Sequence, residues 1–152
     1  MTTHERPSFT PEIRGGIVVG HDGSDVADRA LAWAAEEARL RGSVLHVVRA
    51  WTLSTAMRDT GVPFGTVPSM DECQRAIEQH LAASVDAVDT DGVEVHRHAV
   101  HGASAQVLMA AGEHADLVVV GDRGGGGFAG LRLGSVADQL ARHAPSTVVI
   151  VR

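Results

Sequence analysis

The chain has 152 residues, with 13 Lys and Arg against 19 Asp and Glu, a formal net charge of −6 and 44% hydrophobic residues. That is enough for one domain burying about two-thirds of its unfolded surface without cross-links. The acidic balance argues against nucleic acid or an anionic membrane as the main partner, since both reward clustered Lys and Arg, and no apolar run approaches the ~20 residues of a membrane span. The single cysteine, Cys73, cannot form an internal disulfide; it is expected to pack half-buried on a helix, in a reducing, cytoplasmic setting.

In chain order, Met1 to about Gly15 holds two prolines and little apolar surface, which reads as a flexible tail before a domain at residues 16–152. Ile17 to Gly20 reads as a buried strand that ends in Gly20-His21-Asp22-Gly23-Ser24. Ser24 or Asp25 then caps a helix over Ala30, Leu31, Ala34 and Ala38, with Trp33 a further candidate for its apolar face and Arg41-Gly42 as a basic last turn and stop. Val44 to Val48 is a second strand. The segment Trp51 to Pro68 shows no helical or strand period, so it is either a lid over the carboxyl ends of the strands or a loose insertion. Ser69-x-x-Glu72 is a capping box that opens a helix through Ala76, Ile77, Leu81 and Val85. A third strand is expected over Val93 to Ala99 and a helix from Gly102-Ala103-Ser104. Leu117 to Val120, a glycine loop, a helix from Ser135 to about His143 and a strand over Thr147 to Val151 complete the series. Near-continuous apolar strands alternating with helices predict an α/β fold: an open five-stranded parallel sheet with helices on both faces.

The most informative segment is Gly121-x-x-Gly124, nine residues, then Gly134-Ser135, directly after Leu117-Val118-Val119-Val120 and directly before a helix. Glycines let a backbone adopt positive φ and approach a bulky anion, and a helix starting at Gly134-Ser135 aims its free N–H groups and dipole at that anion. The expected guest is a nucleotide. Ser135 also has a structural reading as N-cap of the last helix, with Asp138 completing a box. Asp138 opposes a nearby anion, and Arg123 and Arg132 are the expected counterweights. Asp22 is either the anchor of an Asx-turn or a ligand contact, and its place at a strand's carboxyl end favours the ligand.

The glycine spacing, Gly20-His21-Asp22-Gly23-Ser24, Leu45-His46-Val47 and Ala144-Pro145-x-x-Val148-Val149-Ile150-Val151 together resemble a universal stress protein of the ATP-binding kind, over Ile17 to Arg152. The resemblance implies a sheet in the order 3-2-1-4-5, adenine-nucleotide hydrolase-like, with ATP across the carboxyl ends of strands one, two and four. It places Gly20 in the ATP site and Asp22 near the ribose or a phosphate-bound metal ion such as Mg2+. It further implies that Val47 backbone groups meet the adenine edge, that Val120 and Gly121 line the ribose side with Arg123 beside them, and that Gly124, Gly134, Ser135 and the Val136 amide face the phosphates. It implies no catalytic residue, and it implies a homodimer through the last strand. That strand, β-branched throughout, would otherwise leave a bare sheet edge.

Other patterns carry less. Gly125-x-Gly127-x-x-Gly130 spells a dinucleotide fingerprint but follows the fourth strand and lacks an acidic residue at a strand end ~20 positions later. There is no Gly-x4-Gly-Lys-Ser/Thr loop and so no lysine set for rapid phosphoryl transfer. His96 and His98 share a strand face and suit either metal chelation, with Glu94 the one carboxylate near them, or plain solvation, while His46 reads as a core histidine with a satisfied ring nitrogen. Two function classes follow: a nucleotide-binding regulatory module with an unidentified protein partner, or a slow metal-dependent ATPase or adenine-nucleotide transferase using Asp22. A dimer module whose glycine loop merely turns the chain is a distant third.

Overall fold

The computed structural model describes residues 12–124 and 133–152. The elements run β1 (Ile17–Gly20), α1 (Asp25–Arg41), β2 (Leu45–Trp51), α2 (Leu53–Asp59), α3 (Met70–Asp86), β3 (Val95–His101), α4 (Ser104–Ala111), β4 (Leu117–Gly121), α5 (Ser135–His143) and β5 (Thr147–Val151). One sheet has the order β3-β2-β1-β4-β5 with every pair parallel. The fold class and strand order are those expected.

Pleating divides the core into two layers. Ile17, Val19, Leu45, Val47, Leu117 and Val119 pack beneath the alanine-rich face of α1 and against Leu81 and Val85 of α3. Val18, Val48, Val118 and Val120 pack on the other side against Leu108 of α4 and Leu140 of α5. Each aliphatic side chain fully removed from water here contributes about 1.5–3 kcal/mol. Small residues at Ala30, Ala34 and Ala38, at most 1% exposed, let α1 lie close on the sheet.

Helix ends follow local chemistry. Ser24 caps α1, its Oγ accepting from the Ala27 N–H at 3.2 Å, and Gly42 stops the helix at φ 62°. Ser69 and Glu72 form the expected box at α3, with reciprocal bonds of 3.1 and 2.7 Å. Trp33 is 37% exposed and stands at the edge of the buried face of α1.

Several expectations need correction. The segment expected to have no regular structure between Trp51 and Pro68 contains α2, started by Thr52, whose N–H donates to Thr55 Oγ1 at 2.9 Å. This helix packs on α3 through Ala56, Cys73 and Ile77. Cys73, expected half-buried, is 0% exposed. β2 extends to Trp51 and β3 to His101 rather than ending at Val48 and Ala99. Trp51 can lie inside because its indole N–H donates to Gln74 Oε1 at 2.7 Å, and Gln74 in turn donates to the Ala99 carbonyl at 2.9 Å. At the N-terminus, residues 1–11 of the expected tail lie outside the described residues. Ile13 is 4% exposed within the core, and the Gly15 N–H donates to the His114 carbonyl at 2.6 Å.

Candidate functional site

The carboxyl ends of β1, β2 and β4, with the start of α5 and one face of α4, enclose a cavity of about 410 Å³, within the range of small-molecule sites. Gly20 and Asp22 enter from the β1–α1 turn, Val120 and Gly121 from β4, Arg123 and Gly124 from the loop that follows, and Gly134, Ser135 and Val136 from the start of α5. Val48 and Ala50 of β2 and Leu108 of α4 supply an apolar wall. Val47 points its side chain the other way: it is 0% exposed in the α1 layer, because alternate β2 residues face opposite sides. No residue between 51 and 68 lines this cavity.

The glycines serve close approach rather than positive φ. Gly134 has φ −66°, and neither Gly121 nor Gly124 is among the positive-φ glycines. A Cβ on Gly134 would lie 3.1 Å from the Arg123 Cα and 3.2 Å from the Gly124 nitrogen, while the Gly134 N–H donates to the Asp122 carbonyl at 2.6 Å. The two ends of the glycine spacing therefore touch through backbone. Gly134, not Ser135, is the N-cap of α5, and Ser135 is the first helical residue, its Oγ accepting from Gln139 Nε2 at 3.0 Å. The expected serine cap fails because the Gly134 carbonyl already accepts the Asp138 N–H at 3.0 Å. The first N–H groups of a helix have no intrahelical partner, and Ser135, Val136 and Ala137 of the first turn of α5 line the cavity. The Asp138 side chain accepts from Arg142 Nε at 3.2 Å, one turn along. Arg132 and Gly125-x-Gly127-x-x-Gly130 lie outside the described residues.

Asp22 anchors an Asx-turn and lines the cavity. Its Oδ1 accepts the Ser24 N–H at 2.9 Å, an Asx-turn, and its Oδ2 lies 3.0 Å from where a Gly124 Cβ would be, so the carboxylate faces the glycine loop. Two neighbours went unread in the sequence. His21, its side chain 0% exposed, bonds Asp28 Oδ1 through Nε2 at 2.8 Å and accepts the Gly23 N–H on Nδ1 at 3.1 Å. Arg49, 7% exposed, lies against Gly23, with its guanidinium 3.3 Å from a Cβ built there. The one available signal for Arg49 was a charge inside an apolar strand.

Away from the cavity, His46, His96 and His98 stack on one face of β2 and β3, with ring centroids 5.3 and 5.2 Å from His46. His46 Nδ1 and His98 Nε2 share a hydrogen bond of 3.0 Å, so His98 is not merely solvated. Burial, then the neighbouring His46 and His96, pushes His98 down to about 4. His46 is also lowered, by burial and then His96, with Glu94 opposing. Among the described residues no three His, Cys, Asp or Glu side chains are grouped to hold a metal ion, and no described helix is long and apolar enough to cross a membrane.

Strand order and the position of the cleft together define an open parallel α/β domain with a ligand-sized cleft at the carboxyl ends of its strands. The profile of the Universal stress protein family matches residues 15–152, and the chain belongs to that family. It is 34% identical to a universal stress protein of Mycolicibacterium smegmatis over 155 residues, covering 100% of this chain and 50% of that one. It is 32% identical to one of Mycobacterium tuberculosis over 150 residues, covering 98% of this chain and 49% of that one. The chain thus spans about half the length of these relatives. Among solved structures, a universal stress protein from Archaeoglobus fulgidus in complex with dAMP superposes with a TM-score of 0.64 at 28% identity, covering 92% of this chain and 99% of that one. A universal stress protein in complex with cAMP superposes with a TM-score of 0.58 at 27% identity, covering 91% and 96%.

Proposed function

We propose that the cleft binds ATP and that occupancy, not turnover, is the output of the domain. The carrying observation is the backbone junction of Gly124 and Gly134 beneath the first turn of α5, which presents N–H donors to an anion where a side chain would intrude. The two structural relatives in complex with dAMP and cAMP support an adenine nucleotide as the guest. In this reading the apolar wall of Val48, Ala50 and Leu108 takes the base beside the Val47 backbone. Gly20, Val120 and Gly121 border the ribose, and Arg123, Gly124, Ser135 and Val136 hold the phosphates.

Asp22 fits a magnesium ion held mainly by the nucleotide, since one carboxylate plus phosphate oxygens is a usual Mg2+ set. The scarcity of grouped ligands among the described residues makes the ion conditional on ATP. The binding-only reading is supported by the commitments of the polar groups present. Both His21 nitrogens are engaged, one with Asp28 and one with the Gly23 N–H, so this ring is not placed as a free base. The output would pass to a partner protein through a two-fold homodimer paired along β5, in the cytoplasm. The test is mass identification of nucleotide released on denaturing the purified protein, beside the same measurement on Gly124→Val. ATP from the parent and none from a folded variant supports the reading; no adenine nucleotide in either, with none taken up on incubation, refutes it.

A further inference from the structure

The polar side chains that line the cleft are unevenly placed. Asp22, Arg123 and Ser135 belong to the turn after β1, the loop after β4 and the start of α5, and both nitrogens of His21 are already bonded. The opposite wall of Val48, Ala50 and Leu108 is apolar, and among the described residues the one hydrogen-bonding side chain set into it is Ser104. Small-molecule sites take their selectivity from the few polar groups placed in such an apolar lining.

The position of Ser104 follows from the topology. Ala50 pairs with Val100, and the chain leaves β3 at His101 and enters α4 at Ser104. Ser104 therefore stands at the β2–β3 end of the cleft, across the strand order from the glycine junction that follows β4. Leu108 is one helical turn further on and shares its face of α4. Its Cδ1 lies 2.7 Å from where a Gly20 Cβ would be, so this face is turned to the cleft floor. The Ser104 hydroxyl is not spent on its own helix, whose N-cap is Ala103 with no side-chain bond. Among the described residues it has no hydrogen-bond partner.

We propose that Ser104 is a base-reading residue, its Oγ accepting a hydrogen bond from the 6-amino group of a bound adenine. The assignment rests on the nucleotide reading above. With the phosphates at the start of α5 and the base against the apolar wall, the purine edge remote from the ribose faces the β3 side, and that edge carries N1 and the 6-amino group. The hydroxyl is both acceptor and donor, so it takes the amine proton while its own proton turns to N1 or to water at the rim.

Calorimetric titration of ATP and of purine riboside triphosphate, which lacks the 6-amino group, on the parent and on Ser104→Ala closes a four-membered cycle. Alanine removes the hydroxyl and suits a helix, so circular dichroism is expected to show the fold intact. The parent is expected to bind the analogue about three- to tenfold more weakly than ATP, and Ser104→Ala to bind ATP more weakly than the parent by about the same factor. The variant is expected to distinguish the two nucleotides by less than about twofold, because both changes remove the same bond. A parent that binds both nucleotides equally, a variant that binds ATP as tightly as the parent, or equal discrimination by the two proteins overturns the role of Ser104 and leaves the nucleotide reading standing. A parent that binds neither triphosphate overturns the nucleotide reading and the role of Ser104 with it.

Discussion

Gly134→Asp puts a charged side chain at the junction on which nucleotide binding is proposed to depend. Its Cβ would sit 3.1 Å from the Arg123 Cα and 3.2 Å from the Gly124 nitrogen, so the loop must give by a few tenths of an ångström. The backbone itself accepts the change: position 134 is an N-cap at φ −66° and ψ 160°, where Asp is among the preferred residues and exceeds Gly by a few tenths of a kcal/mol. Folding is therefore expected to survive. Binding is not. At ~4 Å and an effective dielectric of ~20, each pair of like charges costs about 4 kcal/mol, against a total of about 7–8 kcal/mol for micromolar binding. Allowing for solvent and loop movement, a loss of at least about 100-fold is expected. Calorimetric titration with ATP, with circular dichroism to verify the fold and Gly134→Ala as the uncharged comparison, provides the assay. A folded Gly134→Asp protein that binds ATP as tightly as the parent refutes the phosphate assignment.

Turnover by the parent should stay below roughly one ATP per minute, because the proposed site assigns no base or arginine finger among the described residues, and positioning alone forgoes most of the acceleration of phosphoryl-transfer enzymes; a phosphate-release assay in which Asp22→Ala abolishes a fast, Mg2+-dependent rate would favour the ATPase alternative. Among the described residues β5 pairs only with β4 and stands at the sheet edge, so the parent is expected to sediment as a dimer at tens of micromolar, with Val149→Pro giving a monomer or an unfolded chain; a monomeric parent refutes the interface. For His98, a folded-state value of about 4 against the ordinary 6.5 means the unfolded chain binds more protons between those limits. Its contribution to stability is therefore complete above pH 6.5 and is lost as the pH falls toward 4, by about 1–2 kcal/mol once partial exposure is discounted. Urea unfolding should show this slope in the parent and less of it in His98→Gln, and equal slopes would refute the account of the histidine stack.

The sheet was legible because a parallel sheet covered on both faces leaves its strands as unbroken apolar runs, as in Ile17–Gly20 and Leu117–Gly121. α2 was not. Over its seven residues it buries the small Ala56 completely, while Leu53 and Met57 are 39% and 42% exposed, so no apolar stripe marks it. The ends of β2 and β3 were hidden for the opposite reason: Arg49, Trp51 and His101 read as loop residues until Gln74 supplies the indole's partner and the His101 ring lies 4.6 Å from Trp51. In the site, of the two uses the glycine spacing suggested, positive φ and close approach, Gly134 shows only close approach, at φ −66° against the Arg123 and Gly124 backbone. The inward turn of His21 depends on Asp28 and Gly23 meeting around its ring, an arrangement that spacing along the chain does not reveal.

In the proposed function this cleft holds an adenine nucleotide by its phosphates, and titrating the purified, nucleotide-free protein with ATP, ADP, AMP and cyclic AMP decides whether it does. Saturable one-site binding of ATP in the micromolar class, about 7–8 kcal/mol, weakened as phosphates are removed, is the result expected. A folded protein that binds none of the four at millimolar concentration, or that binds ATP and AMP equally, contradicts it.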